Sequence, residues 1–439
     1  MSGFHNARRI VLVLTPVVSL LLLMAGALVV SGSSAFASSH SRTIYVGQSA
    51  GTNSGCASPG YTSVQAAVDA AHNDDTVYLC GTTPYSEQVI ITKEITLTGD
   101  KGATIQAPNP FPTTSLSRLP AQFTTDNLFI PQAIVIVWGK GSNARITNLD
   151  INGPLPGNGG CASQEFGVLV IADGKATLKN DKVTNIHDTN PALYGCQFGN
   201  GIQVGREYWP KSDFSTFLVE NFKGTATIQN TTVSGYMKDG IVIDGPKSSA
   251  DIDKNVVLGA GRDLQFAVII AQNGIEVGRG ASANVSNNYV SGNSYTGTAP
   301  NASSGGILVF GGCGDPLTIG VKVEHNTLIN NDVGIYLNNY DPTCSTPPAQ
   351  KTKDVAEYNS IFNDAVTNQS SETLTQGTFP GYQAGIDDVG NQDIIEHNTI
   401  GGPGYTSTNT TDTTKPFVIP IDTISFPTID PEVHDNKIV

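Results

Sequence analysis

A glycine followed by an apolar strand recurs seven times along this 439-residue chain. The copies are Gly167-Val168-Leu169-Val170, Gly201-Ile202-Gln203-Val204, Gly240-Ile241-Val242-Ile243, Gly274-Ile275-Glu276-Val277, Gly306-Ile307-Leu308-Val309, Gly334-Ile335-Tyr336-Leu337 and Gly385-Ile386. A second apolar strand built around asparagine follows most of them, as in Val321-Lys322-Val323-Glu324-His325-Asn326-Thr327-Leu328 and Ile395-Glu396-His397-Asn398-Thr399-Ile400. One such unit cannot bury its apolar face alone, so neighbouring units must stack into a solenoid. That also explains how so long a chain can fold without one oversized globular core.

The glycines are 34, 39, 34, 32, 28 and 51 residues apart, so connections of unequal length must project from the coil. The largest are 152–164, 187–200, 206–223, 262–272 and 340–353. Binding residues concentrate on such loops when a rigid frame carries them. The chain divides into a leader (1–37), an N-terminal cap with the first rungs (38–131), the repeat array (132–402) and a C-terminal cover or tail (403–439). Thr62 followed three residues later by Gln65 is a capping-box pattern. Val64, Ala67, Val68 and Ala71 follow at helical spacing, predicting a short capping helix over 63–72.

Arg8 and Arg9 precede an apolar run over 10–30, and Ala35-Phe36-Ala37 is an Ala-x-Ala cleavage site, the pattern of a secretory signal peptide. Cleavage after Ala37 gives a secreted chain with no membrane association, while retention leaves an N-terminal anchor. Losing Arg8 and Arg9 moves the formal net charge from −14 to −16. That charge argues against nucleic acid as a partner. All six cysteines follow the leader, which argues for disulfides. Their order suggests the local pairs Cys56–Cys80, Cys161–Cys196 and Cys313–Cys344, out of fifteen possible connectivities.

The pattern resembles the right-handed parallel β-helix superfamily with the pectate-lyase-like fold. The Gly-Ile strands carry the resemblance. So do the Asn-x-apolar turns at Asn180, Asn230, Asn255, Asn288, Asn326, Asn359 and Asn398, and the opening Ser63-Val64-Gln65-Ala66-Ala67-Val68. The resemblance implies an all-β solenoid of ten to twelve rungs, monomeric, with stacked asparagines in its turns. It also implies a carbohydrate-active protein, a polysaccharide lyase or glycoside hydrolase if an enzyme, with acidic polysaccharide favoured. The alternative is a non-catalytic surface or adhesive β-helix protein that binds glycans or proteins. No subfamily matches: the motifs of the superfamily's methylesterases, polygalacturonases, best-known pectate lyases and epimerases are absent.

Strand alternation sends the residue after each glycine inward and the next one outward. Adjacent rungs then align Gln203, Val242, Glu276, Leu308, Tyr336 and Asp387 on one outer face, with Asp244 and Phe310 beside them. Arg206, Asp244 and Arg279 fall on one edge and are the candidate catalytic residues, since arginine forks neutralise a uronate carboxylate and prepare the adjacent proton for abstraction. Gln203, Glu207, Tyr208, Trp209, Lys238 and Tyr336 are candidate substrate-binding residues. Asp239, Asp244 and Glu276 are candidate ligands for Ca²⁺, which takes oxygen donors. A salt-bridge stack is the competing reading of the Arg–Asp–Arg edge.

Overall fold

The computed structural model describes residues 41–47, 51–111, 130–156, 161, 163–206, 222–262, 265–426 and 428–439. The leader lies outside these residues. Among those described, strands form three parallel sheets of 12, 10 and 11 strands, each rung contributing in turn to all three. The protein is therefore a right-handed parallel β-helix, an all-β solenoid. Residues 403–439 add one strand to each sheet, at Phe417–Asp422, Glu432–His434 and Lys437–Ile438, so they continue the coil.

The repeat glycines all meet the same obstacle. A Cβ on Gly167, Gly201, Gly240, Gly274, Gly306 or Gly334 would lie 2.5–2.6 Å from the carbonyl oxygen of the glycine on the next rung. Only hydrogen fits there, so glycine recurs because the rungs approach too closely for any side chain. The following Val168, Ile202, Ile241, Ile275, Ile307, Ile335 and Ile386 are fully buried and stack as one column of the core.

Between the 12- and 11-stranded sheets the chain bends through a residue with positive φ on nine rungs, from Asn148 to Asp435. Asparagine tolerates this left-handed conformation better than most residues, and Asn148, Asn180, Asn230 and Asn287 occupy it. The next residue points inward and builds the ladder. Asn255, Asn288, Asn326, Asn359 and Asn398 each pass a side-chain N–H to the carboxamide oxygen of the following rung at 3.0 Å, and Asn436 accepts the last of these bonds. The expected stack is thus corrected at two places. Asn180 and Asn230 sit at the bend, and Asp181 and Thr231 hold the inward position on those rungs. His325, Tyr358 and His397 occupy the bend on successive rungs and stack ring on ring at 5.1 and 4.8 Å.

The helix spans Val64–Ala70 and packs on the first strands, Thr43–Gly47, Thr76–Cys80 and Val89–Ile91. Its N-cap is Ser63 and not Thr62, with Ser63 Oγ accepting from Ala66 N at 3.2 Å. Gln65 does not close a capping box. The distant Glu87 does that job, accepting from Val64 N, Gln65 N and Ser63 Oγ, an anion where the helix dipole favours one. The three disulfides pair Cys56–Cys80, Cys161–Cys196 and Cys313–Cys344. No helix among the described residues is long and apolar enough to cross a membrane.

Candidate functional site

The outer face of the 10-stranded sheet carries the site. Its strands pair in the register expected from the repeat: Gln203, Val242, Glu276, Leu308, Tyr336 and Asp387 are successive partners. Connections that return from the 11-stranded sheet wall this face, with Gln197 and Phe198 from one and Ile269, Ile270 and Ala271 from another. Two cavities of about 290 and 510 Å³ lie along the face, and Gln197 and Lys238 line both. Together they make one groove.

The smaller cavity gathers Gln203, Arg206, Lys238, Asp239, Asp244, Glu276 and Arg279, so seven of the residues singled out from sequence converge. Arg279 Nη1 donates to Glu276 Oε1 at 3.0 Å and to Asp244 Oδ1 at 3.2 Å, while its Nε is 3.6 Å from Asp315 Oδ2. Its guanidinium also lies over Phe310 at 5.4 Å. Arg279 has φ of +53°, at the position where the preceding rung uses Gly245. An arginine held in that conformation costs about 1 kcal/mol of backbone strain, which the three carboxylates offset. Arg206 lies over the Phe166 and Phe198 rings at 6.0 and 5.8 Å. The expectation of an open arginine fork is therefore corrected for Arg279, whose charge is already matched by acids of its own chain.

Asn273 Nδ2 donates to Asp239 Oδ1 at 3.0 Å, and Lys238 Nζ donates to Ala271 O at 2.7 Å. Burial raises the Asp239 carboxyl to about 7, and the nearby Lys238 charge opposes that rise. The calcium expectation at Asp239, Asp244 and Glu276 does not fit the geometry. Among the described residues no three acidic, histidine or cysteine side chains converge to hold a metal ion. Arg279 bridges Asp244 and Glu276 and supplies the positive charge there.

Tyr336 belongs to the larger cavity, away from the arginine network. Leu308, Phe310, Tyr336 and Tyr340 are half-buried and present apolar surface to it. Asp387 lies on its floor beside Asp422, its partner on the last strand. Asn338 Nδ2 donates to Asp387 Oδ2 at 3.3 Å, and Tyr382 Oη donates to Asp422 Oδ2 at 2.7 Å. Burial, reinforced by the Asp422 charge, pushes the Asp387 carboxyl well above the usual carboxylate range. Glu372 enters from a two-stranded hairpin, Glu372–Leu374 with Gly377–Phe379, and burial raises it to about 7. Asp388 accepts from Gly390 N and Thr428 Oγ1 and does not line this cavity, so the two adjacent acids part as strand alternation requires.

Sequence reasoning missed Glu372, Tyr340, Tyr382 and Asp422. The 51-residue gap before Gly385 signalled an insertion, and Glu372 sits on it. Asp422 gave no repeat signal, because its rung has Pro420 where the others have glycine. Glu207, Tyr208 and Trp209 lie outside the described residues.

No protein family matches the chain, and no curated protein does. Solved structures resemble it. A lacto-N-biosidase from Eubacterium ramulus is 14% identical, with 90% of this chain and 68% of that chain covered and a TM-score of 0.49. The A-module of a mannuronan C-5 epimerase from Azotobacter vinelandii is 17% identical, with 86% and 94% covered and a TM-score of 0.38. PfbA, a surface adhesin of Streptococcus pneumoniae, is 14% identical, with 77% and 86% covered and a TM-score of 0.34. These likenesses are of fold.

Proposed function

We propose that this is a secreted, carbohydrate-active β-helix protein that hydrolyses glycosidic bonds in the groove. Export is supported by the charged and apolar leader with its Ala-x-Ala site and by three disulfides. The observation that carries the hydrolytic reading is Asp387, a buried carboxyl on the floor of an aromatic-lined cavity that also receives Glu372. Asp387, held protonated by its surroundings, donates its proton to the glycosidic oxygen as the bond from that oxygen to the sugar carbon breaks. Water forms the new bond to that carbon, and Glu372 accepts the water's proton. Two carboxyl groups with separate roles are what glycoside hydrolysis needs. Tyr336 and Tyr340 offer faces for sugar rings, and Arg206, Lys238 and Gln203 extend the groove into the smaller cavity.

A lyase built on Arg206, Asp244 and Arg279 needs a cation available to neutralise the substrate's carboxylate, and Arg279 already serves three acids. The test incubates the chain from residue 38 onward with a panel of polysaccharides and reads new reducing ends alongside the absorbance of unsaturated products. Reducing ends without absorbance, lost on Asp387→Asn by a factor of at least a hundred, are expected. Unsaturated products lost on Arg279→Ala would overturn the hydrolytic assignment. Binding without any product would leave a glycan-binding protein in place of an enzyme.

A further inference from the structure

The balance of charge in the groove bears on the kind of sugar it admits. Lys238 is the one basic side chain lining the larger cavity among the described residues, against Glu372 and Asp387, with Asp422 beside Asp387 on the neighbouring strand. That ammonium is tied to Ala271 O at 2.7 Å and lies 3.9 Å from Asp239 Oδ1. In the smaller cavity Asp239, Asp244 and Glu276 face Arg206, Lys238 and Arg279, and Arg279 is shared among Asp244, Glu276 and Asp315. Among the described residues the basic side chains of the groove are thus matched in number by acids, and no excess of positive charge gathers into the cradle that planar carboxylates select.

Its polar groups suit hydroxyls instead. Asn338, Asn273, Gln203 and the phenols of Tyr336 and Tyr340 can each give and take hydrogen bonds without demanding charge. Phe310 and Leu308 add apolar surface on the same floor. Desolvating a uronate carboxylate in the cavity beside Glu372 and Asp422 would set like charges together and leave the substrate's charge without a partner.

We infer that the groove takes an uncharged glycan, one whose rings carry hydroxymethyl or other neutral substituents, and discriminates against polyuronates. This rests on the reading of the groove as a glycan site. It departs from the acidic polysaccharide that the fold resemblance favours.

The test uses acidic polysaccharides, each paired with its carboxyl-reduced form, so that linkage is held constant while uronates become hexoses. Neutral plant and microbial glycans complete the panel. Binding to the whole chain from residue 38 onward is measured by affinity electrophoresis and calorimetry. A neutral glycan binding at least ten times more tightly than any polyuronate, or a reduced form exceeding its parent by that factor, is the expected result. The variant Glu372→Gln should narrow the discrimination severalfold, because it removes one of the repelling acids while keeping the side chain's size. Equal or tighter binding of the acidic member overturns this inference and leaves the glycan site standing. No binding by any glycan, native or reduced, overturns both.

Discussion

Truncating Asn326 to alanine should destabilise the solenoid far more than the same change at Asn436. Asn326 Nδ2 donates to Val285 O at 2.9 Å, Glu324 O at 3.1 Å and Asn359 Oδ1 at 3.0 Å. Its Oδ1 accepts from Asn288 N at 2.9 Å and Asn288 Nδ2 at 3.0 Å. The residue is 1% exposed. Alanine strands the Asn288 N–H and the Val285 carbonyl where water does not reach them. Each stranded buried group costs about 1–3 kcal/mol, so the pair costs about 4 kcal/mol. Asn436 makes the same bonds but for the one to a following asparagine, accepting from Asn398 N and Nδ2 and donating to Ile395 O and His434 O. It is half-buried, so water replaces what alanine removes and the loss is about 1 kcal/mol. Urea unfolding followed by far-ultraviolet circular dichroism reads both. Hydrogen exchange should place the Asn326→Ala damage in the rungs around 288 and 359, because each rung contacts only its neighbours. Equal losses at the two positions would refute the argument that burial gives the ladder its strength.

Three further outcomes follow from the geometry. Glu372 has its folded pKa raised from the usual 4.5 to about 7, so the stability of its protonated form is present below pH 4.5 and lost as pH rises through 7. Glu372→Gln should therefore melt at a higher temperature than the parent at pH 8 and at the same temperature near pH 4. The gain is at most about 3 kcal/mol and is reduced by solvent screening. Arg279→Ala leaves Asp244, Glu276 and Asp315 without their shared cation and should cost about 3 kcal/mol at pH 7. Gly306→Ala places a Cβ 2.6 Å from Gly334 O and 2.8 Å from Leu328 Cδ2, and should cost about 2–3 kcal/mol in urea unfolding with no loss of groove chemistry per folded molecule.

Much of the outer face could be read before any coordinates. One rule, glycine then inward then outward, aligns Gln203, Glu276, Tyr336 and Asp387, and the pairings bear that alignment out. The rule works because the strand's period is 2 and parallel stacking repeats it without slippage. It failed where a rung broke the pattern. Asp422 follows a proline, and Glu372 comes from a hairpin that belongs to no rung. The turn asparagines were half legible. Their spacing showed a column, but one residue separates the left-handed bend from the inward ladder, and Asn180 and Asn230 fell on the wrong side of it.

By itself the sequence determined the architecture, the inward column, the facing of each repeat and a local cysteine order, because all of these depend on short-range period and on what a Cβ can clash with. Tertiary structure alone decided that Arg279 is spent on three acids of its own chain. It also decided that Tyr336 parts company with the arginines and joins Asp387, Glu372 and Tyr340 around one cavity. Those outcomes depend on where connections of unequal length come to rest. That is a matter of long-range packing and of electrostatics in a buried groove, and neither is encoded by the spacing of residues along the chain.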